Sequence, residues 1–238
     1  YRETGPDGKP NAGTMYIIKN GLPKYMMPLA YFFAFSGVIA GLPAFQANQV
    51  VQLTNDLYFP EVETFSYIAG AFLVVITAAV VLGGLKRIAN VSALLVPFMG
   101  GLYLVAVLIA VLLNYQQFFP ALRLIVTEAF SIDSAVAGGL VAVILTGIKR
   151  GAFSNEAGIG TEALIHGAAK TSNPVKQGLI AMTGPIFDTL IMCTLTAVII
   201  LISGVYQTSD SQGVTLTSEA FLTTLGPVGP IILFVCVV

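Results

Sequence analysis

Long stretches of this chain contain no charged residue, and this constrains its fold more than any other feature. Residues 25–55, 64–85 and 88–122 contain no Asp, Glu, Lys or Arg. A helix needs about 20 consecutive apolar residues to cross a bilayer, because the hydrocarbon core is about 30 Å thick. Each stretch is long enough, so the sequence predicts several membrane-spanning helices.

Composition supports an all-α polytopic membrane protein and excludes other classes. Of the 238 residues, 56% are hydrophobic and 10% are charged, whereas soluble domains carry about 25% charged residues. The formal net charge of −1 gives no basic surface for nucleic acid. Cys193 and Cys236 lie in apolar runs, which favours buried thiols over a disulfide framework. No nucleophile stands at a suitable spacing from a base, so we expect neither enzymatic activity nor a cofactor.

The charge-free stretches and the polar segments between them define the expected spans. The chain begins at Tyr1, and its last apolar run would reach only about 18 Å as a helix. We therefore expect residues 1–238 to be a fragment that forms a single transmembrane domain. The expected spans are 25–53, 64–85, 92–114, a broken span at 134–170, 175–203 and a truncated span at 227–238. Residues 119–136, with a short interfacial helix, and residues 205–225 are expected to be connections on the outer side.

The basic residues predict the orientation. If residues 1–24 are cytoplasmic, eight basic residues lie inside and only Arg123 lies outside. The eight are Arg2, Lys9, Lys19, Lys24, Lys86, Arg87, Lys170 and Lys176. Cytoplasmic loops carry an excess of Lys and Arg. We therefore expect a multi-pass protein of the cell (inner or plasma) membrane, with residues 1–24 in the cytoplasm.

Residues 134–170 differ from the other spans. An apolar half at 134–148 is followed by the polar, glycine-rich sequence KRGAFSNEAGIGTE and then by ALIHGAAK. Gly151, Gly158 and Gly160 permit backbone conformations that other residues resist. The whole segment is too long for one straight crossing, so the sequence predicts two half-helices joined by an unwound stretch. The alternative is an ordinary kinked helix.

The ends of the two half-helices suggest what the break could bind. We expect the first half-helix to end near Arg150 and the second to begin near Gly160, because Ser154 and Asn155 compete for helical hydrogen bonds. A helix C-terminus favours a cation and a helix N-terminus favours a carboxylate. Interrupted helices of this kind indicate a transporter binding site, and this one would suit a zwitterionic amino acid.

Several charged residues lie in or near the predicted spans. Lys149, Arg150, Glu156 and Glu162 are in the broken segment, and Asp188 begins the uncharged part of the next span. Intramembrane charges are costly and are usually functional or paired. Arg150 could pair with Glu156 or Asp188, and Asp188 could be either a salt-bridge partner or a carboxylate on an ion path.

Other polar residues have two interpretations each. Gln46, Asn48, Gln49 and Gln52 lie in the first span, where they either hydrogen-bond neighbouring helices or line a pathway. His166 is the only histidine. Because no second ligand accompanies it, we expect a packed polar residue rather than a metal site.

The segment KRGAFSNEAGIGTEALIHGAAKTSNPVKQGL resembles the alanine/glycine:cation symporter family, the sodium:alanine symporters. The matching positions are Arg150, Gly151, Phe153, Ser154, Asn155, Glu156, Ala157, Gly158, His166, Ala168, Ala169, Lys170, Thr171, Pro174, Gly178 and Leu179. YRETGPDGKPNAGTMYIIKNGL, GGLKRIANVSALLVPFM and DTLIMCTLTAVIIL are also similar to segments of this family. The resemblance therefore extends over essentially the whole chain.

The resemblance implies a fold and a set of site residues. The fold is a LeuT-type inverted-repeat transporter with a discontinuous helix, of which this chain would be a fragment holding core spans three to seven and the start of eight. The break between the half-helices would bind the substrate, together with a glutamine-x-asparagine element in the third span. The implied substrate-binding residues are Gln46, Asn48, Gly151, Phe153, Ser154, Asn155 and Gly158.

The resemblance also implies a function, which is sodium-coupled symport of a small neutral amino acid, alanine or glycine, by alternating access. The expected partners are that amino acid, the sodium ion and the lipid bilayer, with most of the sodium site outside this fragment. Residues 42–45, Leu-Pro-Ala-Phe, depart from the family's common pattern, which leaves the preferred amino acid open. The alternatives are an amino-acid permease of another LeuT-type family, possibly proton-coupled, and a channel or a substrate-binding receptor.

Overall fold

The computed structural model describes residues 1–6, 8, 10–40, 44–59, 64–129, 131, 140–154, 159–169, 171 and 173–237. Helices dominate these residues, as expected where backbone groups must find hydrogen-bond partners without water. In chain order the elements are β1 (Glu3–Thr4), β2 (Pro10–Asn11), α1 (Thr14–Gly21), α2 (Met27–Ala40), α3 (Ala44–Tyr58), α4 (Phe65–Val81), α5 (Gly84–Leu113), α6 (Tyr115–Ala129), α7 (Leu140–Ser154), α8 (Glu162–Gly167), α9 (Pro174–Pro185), α10 (Thr194–Ser203), α11 (Val214–Leu225) and α12 (Val228–Val237). Short 3₁₀ turns lie at Lys24–Met26 and Val205–Gln207, and a π-helical segment lies at Ile186–Cys193.

The chain divides into two compact units. Unit 1 comprises Tyr1–Leu42 and Ser131–Cys193, and unit 2 comprises Pro43–Phe130 and Thr194–Val238. Each unit thus combines an early and a late part of the sequence.

Three stretches of the described chain are long and apolar enough to cross a membrane. They are Lys24–Tyr58, which includes residues 41–43 outside the described ranges, Lys86–Leu113 and Pro174–Ser203. Large apolar side chains are exposed along them; for example, Leu112 is 71% exposed and Phe187 is 64% exposed. Such surfaces are suited to lipid contact. The expectation of an all-α membrane protein is therefore confirmed.

Unit 1 begins with a small polar substructure. Strands β1 and β2 pair antiparallel, with Glu3 opposite Asn11. The Lys19 ammonium group on α1 lies 2.9 Å from the Glu3 carboxylate. The hydrogen bond from Lys19 lowers the pKa of Glu3. This exposed contact connects the hairpin to α1.

Unit 2 has an apolar core to which five helices contribute. Ala106 and Ala110, one turn apart on α5, are small enough to let neighbouring helices approach closely. Phe221 of α11 is fully buried in this core. The buried cluster consists of Leu53, Ala106, Val107, Ala110, Ile199, Phe221 and Leu233.

Helix α11 was not expected, because the sequence analysis treated residues 205–225 as a connection. The structure instead contains a helix from Val214 to Leu225, on which Ser218, Phe221 and Thr224 are buried at helical spacing. The serine and threonine residues lower the hydropathy of this segment and obscured its apolar face. Likewise, α6 begins at Tyr115, earlier than the short interfacial helix that was expected.

Close packing of α11 against α12 depends on Gly229. A Cβ atom at this position would overlap the carbonyl oxygen of Phe221. The overlapping atom belongs to the backbone, so relief would require the two helices to move apart.

Gly229→Ala should therefore destabilise unit 2 by about 1–3 kcal/mol, the usual cost of overpacking a core. Gly100→Ala is the matched control, because an added Cβ there meets no atom within 4 Å; it should be neutral or slightly stabilising, since alanine is the better helix former. Thermal unfolding of the two variants in detergent tests this. Equal midpoints would contradict the assigned contact between α11 and α12.

Candidate functional site

The broken segment lies in unit 1. Helix α7 covers Leu140–Ser154 and a separate helix, α8, covers Glu162–Gly167. Between them, Gly160 has a φ of +78°, which favours glycine and is incompatible with a continuous α-helix. Among the described residues, Gly160 thus separates α7 from α8, while the division of the whole segment 134–170 into two half-helices around a binding site stays a prediction.

The first half-helix extends further than expected. Its end was expected near Arg150, but α7 continues to Ser154. A single glycine inside a helix costs only about 1 kcal/mol relative to alanine, so Gly151 does not end it. Gly151 and the backbone of Phe153 are therefore helical rather than unwound.

The second half-helix is short and begins with an acidic residue. Helix α8 has six residues and carries Glu162 in its first turn. A carboxylate there already occupies the position where the helix dipole would favour an anion. The expected attraction of a substrate carboxylate to this helix end is thus weakened.

A polar cluster connects the end of α7 to the π-helical segment. The Ser154 hydroxyl donates a 2.7 Å hydrogen bond to Oδ2 of Asp188. The same hydroxyl lies 3.4 Å from the Thr189 hydroxyl and 3.4 Å from the Cys193 thiol. Four polar side chains thus converge where two helical segments of unit 1 meet.

The π-helical segment explains how this convergence arises. The backbone hydrogen bonds of a π-helix join residues i and i+5. Asp188 and Cys193, which are five residues apart, therefore lie on one face of this segment. Pro185, the residue just before the segment, has no amide hydrogen to donate. Upstream, α9 is started by Asn173, whose side chain accepts a 3.1 Å hydrogen bond from the Lys176 amide, and by Pro174 in the first helical position.

The basic side chains near the break do not form ion pairs with this cluster. Lys149 and Arg150 are exposed on α7, and neither forms an ion pair with any residue that the structure describes. The suggested pairing of Arg150 with Asp188 is therefore absent, while Glu156 lies outside the described residues.

The N-terminal segment packs directly on the backbone that follows the interruption. The Thr14 hydroxyl donates to the carbonyl of Gly160 at 2.8 Å. The Arg2 guanidinium donates to the carbonyls of Ala169 at 2.7 Å and Thr171 at 3.0 Å. A Cβ atom at Gly167 would overlap that of Ala12, so this approach depends on glycine. No pattern in the sequence indicated these contacts.

His166 is a packed polar residue in the same region. Its Nδ1 lies 2.6 Å from Nε2 of the Gln177 side chain, and its Nε2 lies 3.5 Å from Oε1 of Glu162. His166 lines a cavity of about 450 Å³ together with Gly13, Ile17 and Ala181. Among the described residues, no three His, Cys, Asp or Glu side chains converge as a metal site.

Gln46 and Asn48 lie on α3 in unit 2. Both are exposed, and neither forms a side-chain hydrogen bond within the described parts of the chain. By contrast, Gln49 accepts a 3.0 Å hydrogen bond from the Val214 amide, and Gln52 donates one of 3.0 Å to the Thr215 hydroxyl. Gln49 and Gln52 therefore connect helices, whereas pathway roles for Gln46 and Asn48 stay predictions.

Two predicted site residues, Asn155 and Gly158, lie outside the described residues. The remaining candidates at the break are Gly151, Phe153 and Ser154, all on α7. Of these, Ser154 has a defined polar partner, the Asp188 carboxylate. The sequence analysis named Asp188 only as a pairing or ion-path residue, and the nearby Pro185 is the one signal that could have indicated the π-helical turn.

Charge-poor helices with exposed apolar faces, one of them interrupted beside an intramembrane carboxylate, define a membrane-embedded transporter. The sequence profile of the sodium:alanine symporter family matches the chain over residues 1–238. The chain belongs to this family. Its relatives are transporters, which confirms the expectation that it is not an enzyme and excludes the alternative of another permease family.

Named relatives agree with this assignment. The chain is 35% identical over 240 residues to the sodium/alanine symporter AgcS of Methanococcus maripaludis, covering 98% of this chain and 52% of that protein. It is 36% identical over 215 residues to a probable sodium/glutamine symporter, GlnT of Bacillus subtilis, covering 90% and 44%. It is 32% identical over 190 residues to a sodium/proton-dependent alanine carrier of Bacillus sp. strain PS3, covering 79% and 41%. The chain thus spans about half the length of the curated relatives it matches.

Gly160→Ala should loosen the region after the interruption. An added Cβ would lie 3.0 Å from the Phe33 ring and 3.2 Å from the Thr14 hydroxyl, and a left-handed backbone costs a non-glycine residue about 1–2 kcal/mol. Amide hydrogen exchange should therefore quicken in residues 159–169. Gly178→Ala is the control, because nothing lies within 4 Å of its Cβ position. Exchange that is equal in both variants would contradict the contact between Thr14 and Gly160.

Proposed function

We propose that this chain is part of a longer symporter that couples the entry of sodium to the uptake of a small neutral amino acid, alanine or glycine. The observation that carries the proposal is the family match along the entire chain. The interruption between α7 and α8 supports it, because interrupted helices supply substrate and ion sites in secondary transporters.

The proposed architecture is a LeuT-type inverted repeat that works by alternating access. In this scheme the interrupted backbone binds the substrate while helices rearrange around it to open one side at a time. Non-helical backbone at membrane depth is tolerated only where it packs in protein or lines a cavity. The conformation of Gly160 is consistent with that requirement.

The proposed substrate-binding residues at the break are Gly151, Phe153, Ser154, Asn155 and Gly158. An asparagine amide can both donate and accept hydrogen bonds, so Asn155 suits both charged ends of an amino acid. Gln46 and Asn48 are proposed as further substrate contacts, and this rests on the family resemblance alone.

Substrate and coupling ion are separate parts of the proposal. One relative is named for glutamine and another for sodium or protons. The decisive experiment is radiolabelled alanine uptake into proteoliposomes that contain the full-length protein, under a sodium gradient or a pH gradient, with glycine and glutamine as competitors. Accumulation that requires sodium supports the proposal, and accumulation driven only by a pH gradient would move the coupling ion to the proton. No uptake of any of the three amino acids would overturn it.

Asn155→Ala should abolish or sharply weaken this uptake without loss of expression, because it removes the amide proposed to bind the substrate. Asn90→Ala is the matched control, since Asn90 is exposed on α5 in unit 2. Initial rates of alanine uptake, normalised to the amount of reconstituted protein, compare the two. Wild-type kinetics in the Asn155 variant would remove that residue from the site.

We also propose that the protein lies in the cell membrane with residues 1–24 on the cytoplasmic side. The asymmetry of Lys and Arg supports this orientation. The substitutions Lys24→Cys and Gln212→Cys, each made alone in a background without other reactive cysteines, test this orientation. Both positions are exposed. An impermeant maleimide added to intact cells should label the Gln212 variant and spare the Lys24 variant. The reverse pattern would invert the topology.

A further inference from the structure

The N-terminal segment contacts the short helix α8 at both of its ends, although the two lie far apart in the sequence. In front of α8, the Thr14 hydroxyl donates a 2.8 Å hydrogen bond to the carbonyl of Gly160. Behind α8, the Arg2 guanidinium donates to the carbonyls of Ala169 at 2.7 Å and Thr171 at 3.0 Å. Because the accepting atoms belong to the backbone, these contacts fix the position of α8 itself.

Between its two ends, α8 is in direct contact with the same segment. A Cβ atom at Gly13 would overlap the side chain of Leu164, and one at Gly167 would overlap that of Ala12. Leu164 and Gly167 are three residues apart, so they lie on one face of α8. The close approach therefore uses one glycine from each partner and continues along the helix.

We propose that residues 1–21, the N-terminal clamp, hold α8 in place while the side of the membrane on which they lie is closed, and release it each time that side opens. Arg2 and Thr14 are then positioning residues for transport. They act on the second half-helix and not on the substrate or the ion. This inference rests on the symport by alternating access proposed above, and it adds the contact that must come apart in each cycle.

The clamp is braced so that it acts as one body. The Lys19 ammonium group on α1 lies 2.9 Å from the Glu3 carboxylate, and the Asn20 side chain donates a 3.0 Å hydrogen bond to the carbonyl of Tyr1. Both contacts connect the strand pair to α1, which leads through a 3₁₀ turn into α2. A displacement of α8 that pulls on Arg2 is therefore resisted by the whole segment.

Helix α8 depends on such contacts for its position. It has six residues, and isolated helices shorter than about 12–15 residues are marginal in water. Gly160, with its left-handed backbone, precedes it, and α9 begins only at Pro174, so α8 is not continuous with a longer helix. A further contact joins it to α9, where Nδ1 of His166 lies 2.6 Å from Nε2 of Gln177.

The contact between the clamp and α8 is also suited to release. The hydrogen bonds of Arg2 are exposed to solvent, so water can replace them and the net cost of breaking each one is small. Both partners line a cavity of about 450 Å³, to which Ile17 of the clamp and Ala163 of α8 contribute. Because this packing is incomplete, separation forfeits less dispersion energy than the separation of a filled interface would.

The first test compares alanine uptake by variants of the full-length protein. Arg2→Ala and Thr14→Ala should each raise the alanine concentration that gives half-maximal uptake by about fivefold, because a smaller fraction of the protein then offers its site to external alanine. Arg2→Lys keeps the charge but not the forked donor geometry and should restore part of the affinity, while Thr14→Ser should restore most of it. Lys24→Ala, at an exposed position, is the matched control and should have no effect.

The second test measures opening directly and does not depend on transport. Ala163→Cys places a thiol on α8 beside the cavity, in a full-length background without other reactive cysteines. In purified protein in detergent, a maleimide should label this thiol several-fold faster when Arg2→Ala or Thr14→Ala is also present, because each releases the clamp. Equal labelling rates with and without these substitutions would overturn the proposal.

The third test closes the clamp chemically. A bifunctional methanethiosulfonate reagent can bridge the pair Arg2→Cys and Thr171→Cys, and a reductant removes the bridge. Uptake should stop in the bridged protein and return on reduction to the rate of the Arg2→Ala variant. The pair Tyr1→Cys and Asn20→Cys is the matched control, because both positions belong to the clamp and are in contact; bridging them should leave uptake unchanged.

The outcomes separate the clamp from the proposed function. If wild-type protein shows no sodium-dependent uptake, the proposed function fails, and the labelling rates still decide whether the clamp opens. If wild-type uptake requires sodium but the bridged Arg2→Cys and Thr171→Cys pair transports as fast as its reduced form, the clamp is overturned while the function stands. A lower melting temperature of the Arg2→Ala variant, with unchanged half-maximal concentration and labelling rate, would also overturn it, because the contact would then be structural only.

Discussion

A peptide N–H or C=O without a partner costs several kcal/mol in hydrocarbon, and the arrangement of this chain depends on that cost. Helix α4, which contains no proline, meets it internally, because backbone groups inside a helix are hydrogen-bonded one turn away. The region after the interruption is paired in another way. The carbonyls of Gly160, Ala169 and Thr171 accept hydrogen bonds from Thr14 and Arg2 of the N-terminal segment. A distant part of the same unit thus supplies donors to this non-helical backbone.

The features predicted well from the sequence are those set by a single strong signal. Charge-free stretches require helices in a membrane, and this gave the all-α class. Clustered glycines and polar residues at 151–160 indicated an interruption, and Gly160 in this stretch has a left-handed backbone. Each of these signals acts over a short distance along the chain, so local composition was sufficient.

The features that sequence reasoning missed depend on contacts between distant residues. Helix α11 is held by the burial of Phe221 against residues from four other helices, although its serines and threonines resemble a loop. Helix α7 reaches Ser154 because helix propagation continues through Gly151 at small cost. The π-helical turn that aligns Asp188 with Ser154 follows a proline, but a proline alone does not specify that geometry. Fold class was therefore accessible from composition, whereas the side chains that meet in the polar cluster around Ser154 were not.

The hydrogen bonds between α3 and the start of α11 have a mechanical consequence. The Gln49 side chain accepts a hydrogen bond from the Val214 amide, and the Gln52 side chain donates one to the Thr215 hydroxyl. That hydroxyl in turn donates to the Asp56 carboxylate at 2.7 Å. Each of these hydrogen bonds contributes about 1 kcal/mol. Rotation of α3 about its own axis would break all of them, at a cost of roughly 3 kcal/mol, whereas tilting both helices together would keep them. Within unit 2, these bonds therefore couple α3 to the start of α11, so that joint movement of the two helices costs less than movement of one past the other.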